Sequence, residues 1–206
     1  MDDGIPAFER EDDLLAGVGS QVRVYTVAHP LVVLGRGSRP DRELHLDACR
    51  ADGVPLQRRR GGGCAVVLDP GNVLVAAAIA APGIGDNQRH FDDLCRWLIE
   101  GLAEIGVPGI CQAGISDLAL GDRKVAGCCI YRRPGRLLFS AALLVDPDLS
   151  LLDRYLRHPP REPDYRRGRA HLEFVTRLAG QPTAPAAARF PAALSEVLAA
   201  PIAAGA

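Results

Sequence analysis

Hydrophobic positions along the chain follow two different periods. Residues 21–27, Gln-Val-Arg-Val-Tyr-Thr-Val, are apolar at every second position, the pattern of a half-buried strand. Residues 31–35, Leu-Val-Val-Leu-Gly, read as a buried strand. The period then changes. Over 87–105, Phe91, Leu94, Cys95, Leu98, Ile99, Leu102 and Ile105 fall at i, i+3, i+4 and i+7, one face of a helix. Asp86 or Asn87 is placed to cap its start and Gly106 to end it. Shorter helices are predicted over 5–18, over 40–50 (opened by Pro40 and Asp41, closed near Gly53), over 148–157 and over 191–199.

Turn residues organise the strands. The apolar runs 64–69 and 73–80 flank Pro70-Gly71-Asn72 and predict a hairpin. The runs 115–120, 123–133 and 136–145 are separated by Gly-Asp and Pro-Gly turns and predict a three-stranded antiparallel meander. The Pro- and Arg-rich stretch 159–169 and the segment holding Cys111, Pro-Gly-Ile-Cys-Gln-Ala-Gly, read as loops. Strands arriving in hairpins with helices between them predict an α+β fold, with a mixed, mostly antiparallel sheet flanked by helices. Residues 1–180 are expected to form the main folded domain. Residues 181–206 are expected to be an Ala/Pro-rich tail that frays at its end, too short for an accessory C-terminal domain.

At 206 residues and 48% hydrophobic content, the chain can bury one substantial core. No apolar run approaches the roughly 18 residues of a membrane span, and the acidic start lacks the features of a signal peptide. The expected location is therefore cytoplasmic, with the six cysteines as thiols. With 24 basic and 25 acidic residues, net charge gives no support for nucleic-acid binding. Positive charge is local instead, at Arg58 to Arg60, Arg132 to Arg136 and Arg161 to Arg169; such clusters are commonly solvated faces. The cysteines contain no Cys-x-x-Cys pair and the histidines no ligand spacing, so no metal site is assigned.

Two stretches carry candidate chemistry. In the first, Arg58, Arg59 and Arg60 run into Gly61, Gly62 and Gly63, followed by Cys64 and a strand containing Val66. Glycines allow positive φ and let a ligand approach the backbone, and the guanidinium groups suit phosphate or carboxylate. The stretch matches neither a Walker A loop nor a dinucleotide fingerprint. A plain turn and a ligand loop both fit it. In the second, Lys124 opens a strand three residues before Gly127 and seven after Asp117. A lysine at a strand edge is commonly only solvated; beside a glycine-rich loop it can aim an ammonium at a phosphate.

Together these stretches resemble a family. Arg-Arg-Arg-Gly-Gly-Gly-Cys-Ala-Val-Val-Leu-Asp-Pro-Gly-Asn (58–72) is similar to the Arg-Arg-x-x-Gly-Gly-Gly/Ala-x-Val-x-x-Asp-x-Gly-Asn loop of lipoate–protein ligases and octanoyltransferases. Residues 116–129 resemble that family's Asn-Asp-Leu-x-x-x-Gly-x-Lys-Ile-x-Gly-x-Ala motif. Residues 30–37 and 143–156 resemble two flanking segments, in the same order. The resemblance implies a fold like that of biotin and lipoate protein ligases, related to class II aminoacyl-tRNA synthetase cores. It implies activation of lipoate or octanoate by ATP and Mg²⁺ to an acyl-adenylate, then transfer to a lysine of a lipoyl acceptor domain. On this resemblance Lys124 would bind the phosphate and acyl oxygens, and Arg59, with Arg58 beside it, would be a second anion contact. Asp117 would orient Lys124 or hold Mg²⁺. Gly61 to Gly63, Cys64, Val66 and Gly127 would line the acyl and adenylate site.

The chain departs from the family pattern at Leu68, Cys64, Ser116, Ala126 and the stretch Phe139 to Leu144, which lacks the family's histidine. These positions hold polar contacts rather than the cation pair. Two alternatives therefore stand beside adenylation. One is cysteine-dependent acyl transfer from an acyl carrier protein, with Cys111 as the candidate nucleophile by position. The other is a non-catalytic lipoyl-binding subunit that works with an accessory partner.

Overall fold

The computed structural model describes residues 4–82 and 85–199. Along the chain run α1 (Asp12–Ala16), β1 (Gln21–Tyr25), β2 (Leu31–Leu34), α2 (Pro40–Glu43), α3 (Leu46–Ala51), β3 (Leu56–Arg58), β4 (Val66–Leu68) and β5 (Asn72–Ala81). Then come α4 (Asn87–Glu104), β6 (Ile110–Ala113), β7 (Asp117–Leu120), β8 (Arg123–Arg133), β9 (Gly135–Leu144), α5 (Ser150–Tyr155), α6 (His171–Phe174) and α7 (Phe190–Leu198). The fold is α+β. Six strands form an antiparallel sheet in the order β1-β5-β9-β8-β7-β6. A small sheet, β3-β2-β4, pairs β2 with β3 in parallel and with β4 antiparallel.

The two faces of the large sheet have different neighbours. Val73, Val75, Ala77 and Ile79 of β5 and Leu137, Phe139 and Leu143 of β9 pack under α4 and α7. The opposite face, with Leu74, Ala76, Ala78 and Leu138, meets α1 and the small sheet. Burial on both faces explains the unbroken apolar run of β5. The alanines keep the second face shallow, and Leu74, Leu138 and Ala142 line a cavity there.

The amphipathic helix and the meander lie where the periodicity places them, and Gly53 (φ 61°) and Gly106 (φ 91°) end their helices. Asp86 precedes α4 in a left-handed conformation and makes no side-chain cap. Several expectations are corrected. The runs 64–69 and 73–80 are joined by a tight turn, in which Asn72 N–H donates to the Asp69 carbonyl at 3.0 Å, but they do not pair. β4 pairs with β2, and β5 pairs with β1 and β9, because Leu68 and Leu74 meet between the layers rather than across a ladder. The Asp69 carboxylate reinforces this corner by accepting from Gly71 N–H at 2.8 Å and Asp148 N–H at 2.6 Å. The helix expected over 5–18 is confined to α1; Phe8 and Arg58 instead extend the small sheet through backbone hydrogen bonds. The helix expected over 40–50 breaks at Leu44 and His45, which bond to the segment after α5. Cys111 lies in strand β6, not a loop.

The segment beyond 181 carries α7, whose Phe190, Leu194 and Leu198 are enclosed in the main core. Gly101 of α4 admits this helix: a Cβ there would stand 2.5 Å from the Leu198 side chain. The end expected to fray, 200–206, lies outside the described residues.

Candidate active site

Lys124 reaches the site through a backbone irregularity. In a regular strand, residues three apart point to opposite faces. Lys124 and Gly127 nevertheless share a face, because the β7–β8 ladder shifts by one residue: Leu118 pairs with Ala126, yet Ala119 pairs with Lys124. Val125 is the extra residue, and it and Ala126 both enter the core under α4. The bulge re-aims the lysine toward the cavity. Lys124 is also the sole lysine among the chain's 24 basic residues, a signal that spacing arguments overlook. An ammonium is a compact point charge that a guanidinium does not replace.

Asp117 of β7, buried at 6% exposure, lies opposite Gly127. Its Oδ1 is 2.7 Å from Lys124 Nζ. Its Oδ2 accepts a 2.9 Å hydrogen bond from the Tyr165 hydroxyl. Burial, followed by the nearby carboxylate, pushes the Tyr165 phenol pKa far above its ordinary value. Of the two roles expected for Asp117, orienting Lys124 is the one this geometry supports.

The glycine loop is built by the arginines beside it. Arg59 Nε and Nη2 donate to the Gly62 carbonyl, Nη1 to the Val33 carbonyl at 3.1 Å, and Nη2 also to the Cys64 carbonyl at 2.9 Å. Arg58 Nη1 donates to the carbonyls of Gly35 and Ser38. Both were expected to meet an anion; here their guanidinium donors hold loop carbonyls. Arg60 pairs with Asp12 at 2.5 Å and lies over the Tyr131 ring. Buried Glu43 accepts from Ala65 N–H at 2.7 Å, which fixes the loop's exit. Gly63 has φ 91°, and a Cβ on Gly61 would stand 2.7 Å from Cys129 Sγ.

The loop and β8 bound two cavities that meet at Lys124. The larger, ≈ 580 Å³, is also lined by Arg157, Arg161, Arg166 and His171. Arg166 is 4% exposed, and its Nη2 has no partner among the described residues. Its Nε donates to the Arg169 carbonyl at 2.9 Å and lies 3.4 Å from Glu162 Oε2, and its guanidinium lies over Phe174. Burial pulls its pKa below the usual arginine range, as burial does for His171 relative to an ordinary histidine. Glu162 balances part of this charge, and the unsatisfied Nη2 still suits a further acceptor. Sequence reasoning treated 159–169 as a solvated basic loop. The arginine cluster was visible, but the burial of Arg166 was not.

The smaller cavity, ≈ 140 Å³, runs from Lys124 and Gly127 past Val66 and Ala142 to Phe8 and Leu138. Its walls are largely apolar. Its floor carries Glu11, whose oxygens accept from Tyr25 at 2.7 Å and Ser140 at 2.5 Å. Burial raises the Glu11 pKa above 4.5.

The site is thus a narrow apolar chamber joined at one lysine to a wide basic cavity. The lipoyl protein ligase A/B catalytic domain model covers residues 6–197. The chain belongs to that family. It is 30% identical, over 195 residues, to the octanoyltransferase LipM of Symbiobacterium thermophilum, covering 82% of this chain and 70% of that protein. It is 32% identical, over 126 residues, to a probable lipoate-protein ligase A of Mycoplasma genitalium, covering 61% of this chain but only 37% of that one. In fold it is similar to the bipartite lipoate protein ligase of Thermoplasma acidophilum, solved in a study of that ligase and its E2 lipoyl domain (TM-score 0.73, 23% identity, 89% of this chain and 72% of that one).

The relatives are named both as ligases and as a transferase. Cys64 lines both cavities, with its pKa raised by burial. Cys111 is exposed on the edge strand β6 and lines neither cavity. No helix among the described residues is long and apolar enough to cross a membrane.

Proposed function

We propose that the chain catalyses ATP-dependent activation of lipoate or octanoate and transfer of the acyl group to a lysine of a lipoyl acceptor domain. The observation that carries this reading is the placement of Lys124. Its ammonium, held by Asp117, stands where an apolar chamber sized for a slender chain opens into a cavity bearing Arg166, whose Nη2 has no partner among the described residues. The chamber takes the acyl chain. The wide cavity takes ATP with its Mg²⁺, and Arg166 and Lys124 are the groups that fit its phosphates.

In the first step a carboxylate oxygen of the acid bonds to the α-phosphorus, and the bond to pyrophosphate breaks. Lys124 balances charge on the oxygens shared by the acyl and phosphoryl groups. In the second step the acceptor amine bonds to the acyl carbon, AMP departs with the electron pair, and the amine's proton is lost to water. Arg59, Arg58 and Glu43 hold the glycine loop, so that Gly61 to Gly63 present backbone rather than side chains to the ligand.

The test is pyrophosphate release from Mg-ATP with lipoate or octanoate and no acceptor. Release should depend on the acid and fall about 10²–10³-fold in Lys124→Ala, the cost of losing one preorganised charge stabiliser. Lys124→Arg should not restore it. Acid-dependent release unchanged in Lys124→Ala would refute the assignment.

A second reading is favoured by the match to an octanoyltransferase over most of the chain: transfer from an acyl carrier protein through an enzyme thioester, without ATP. Cys64, which lines both cavities with Cys128 and Cys129, is the candidate thiol that the geometry favours over Cys111, and an accessory subunit is a further partner on this reading. Intact mass after incubation with an octanoyl carrier protein decides this reading. An added octanoyl group lost in Cys111→Ser or Cys64→Ser supports it; no adduct removes it.

A further inference from the structure

We propose that Tyr165 is a positioning residue for Lys124, acting through Asp117, and that it belongs to the same turn that delivers Arg166 to the cavity; the kinetic part of this proposal rests on the role given above to Lys124. Among the described residues, the side chain of Asp117 has two close polar partners, Lys124 on Oδ1 at 2.7 Å and Tyr165 on Oδ2 at 2.9 Å. The carboxylate is buried, so an oxygen without a donor would be costly there. Tyr165 supplies that donor. With Oδ2 occupied, the ion pair runs through Oδ1 alone. An ammonium has three N–H groups, so Lys124 keeps two for a ligand. Gly127 leaves the space beside it open, since a Cβ there would come within 3.2 Å of Nζ.

Without the phenol, Oδ2 must find another donor. Lys124 is already on the other oxygen, and Arg166 lines the same cavity as Asp117. Either capture removes a cation from the cavity. Tyr165 thus keeps both cations available, one directly and one by satisfying the carboxylate that would compete for it.

The position of the ring does not depend on its hydroxyl. Tyr165 sits in a 3₁₀ turn, Asp164–Arg166, with its ring 5.0 Å from that of Phe174. The turn closes over the β6–β7 connection at Gly114 (φ 58°), where a Cβ would stand 2.7 Å from Pro163 and 3.4 Å from the Tyr165 ring. Tyr165→Phe therefore removes the hydrogen bond and keeps the packing.

Because Lys124 is the sole lysine, lysine labelled with ¹⁵N at Nζ gives one side-chain resonance, and it reports this ammonium directly. The expected result is that Tyr165→Phe stays folded, with a thermal midpoint lowered by the loss of one buried hydrogen bond, and shifts or broadens that resonance. A resonance identical to wild type would overturn the proposal, whether or not the protein adenylates. In the kinetic arm, acid-dependent pyrophosphate release should lose about 10- to 100-fold in kcat, the range of a lost hydrogen bond to a charged group, with KM for the acid nearly constant. An unchanged kcat, or a loss confined to KM, would also overturn it. If wild type shows no release while the resonance still moves, the adenylation reading fails and the positioning of Lys124 by Tyr165 stands. Should Tyr165→Phe unfold, 3-fluorotyrosine at position 165, which keeps the ring and the hydroxyl but makes it a stronger donor, is measured instead; it should move the Lys124 resonance, and an unmoved resonance would count against the proposal.

Discussion

Gly127 holds open the space that the Lys124 ammonium occupies: a Cβ at position 127 would stand 3.2 Å from Nζ and 3.4 Å from Cε. The obstructed atoms are the far end of a flexible side chain, so Gly127→Ala can be accommodated by moving the lysine. Stability should change little while geometry changes. A displacement of this kind near reacting atoms costs about 10²-fold in rate. Gly127→Ala should therefore show a near wild-type thermal midpoint and a roughly 10²-fold loss of acid-dependent pyrophosphate release. Equal loss of stability and activity would count against a positional role.

Gly61 and Cys129 make the opposite kind of contact. A Cβ at 61 would stand 2.7 Å from Cys129 Sγ and 3.3 Å from its Cβ. Both groups belong to packed backbone segments. Gly61→Ala should destabilise by about 1–3 kcal/mol, the usual cost of overpacking. Adding Cys129→Ala removes the sulfur and should recover most of that loss. Additive losses in the urea-denaturation midpoints would mean the two positions do not clash.

Arg59 donates to the carbonyls of Val33, Gly62 and Cys64. Its removal leaves loop carbonyls without partners. Arg59→Ala should lower unfolding free energy by about 2–3 kcal/mol. Arg59→Lys should recover little, because an ammonium cannot span three carbonyls as a fork does. Protease nicking at Gly61 to Gly63 should rise in both variants; resistance equal to wild type would contradict the stapling role.

Glu11 links the chamber floor to pH. Burial raises its folded-state pKa above 4.5. As pH rises from 4.5 through the folded value, the folded protein keeps this proton longer than the unfolded chain, so stability declines across that window and stays lower above it. Glu11→Gln removes the titration while retaining hydrogen bonding to Tyr25 and Ser140. The thermal midpoints of wild type and variant should converge near pH 4 and separate in favour of the variant toward pH 8. A constant difference across that range would show that Glu11 does not titrate in the way its burial requires.

Local signals located much of the fold. The i, i+3, i+4 spacing of Phe91, Leu94, Leu98 and Leu102 is a property of α4 itself, and the Gly-Asp and Pro-Gly turns of the meander act within a few residues. The order of the motifs around Arg59 and Lys124 also sufficed to reach the family. Pairing between distant strands was not legible. The turn at Pro70 and Gly71 is real, yet it cannot state that β4 goes to one sheet and β5 to another, because that choice depends on β2, β1 and β9.

By itself, then, the amino-acid sequence determined the helix faces, the turns, the glycine loop and the presence of one lysine in the right motif. These are set by backbone sterics and by periodicities that act over a few residues. The tertiary structure decided what the charges do. Period-two alternation would point Lys124 into the core; only the β7–β8 register, with Val125 bulged, turns it to the cavity. Three consecutive arginines look alike along the chain, yet Arg59 holds carbonyls while Arg60 meets Asp12. Arg166, in a stretch that reads as solvated, is buried beside Glu162, with an Nη2 that has no partner among the described residues. The physical reason is that burial and ion pairing depend on which distant segments arrive, and a charge has no conformational preference strong enough to announce its partner.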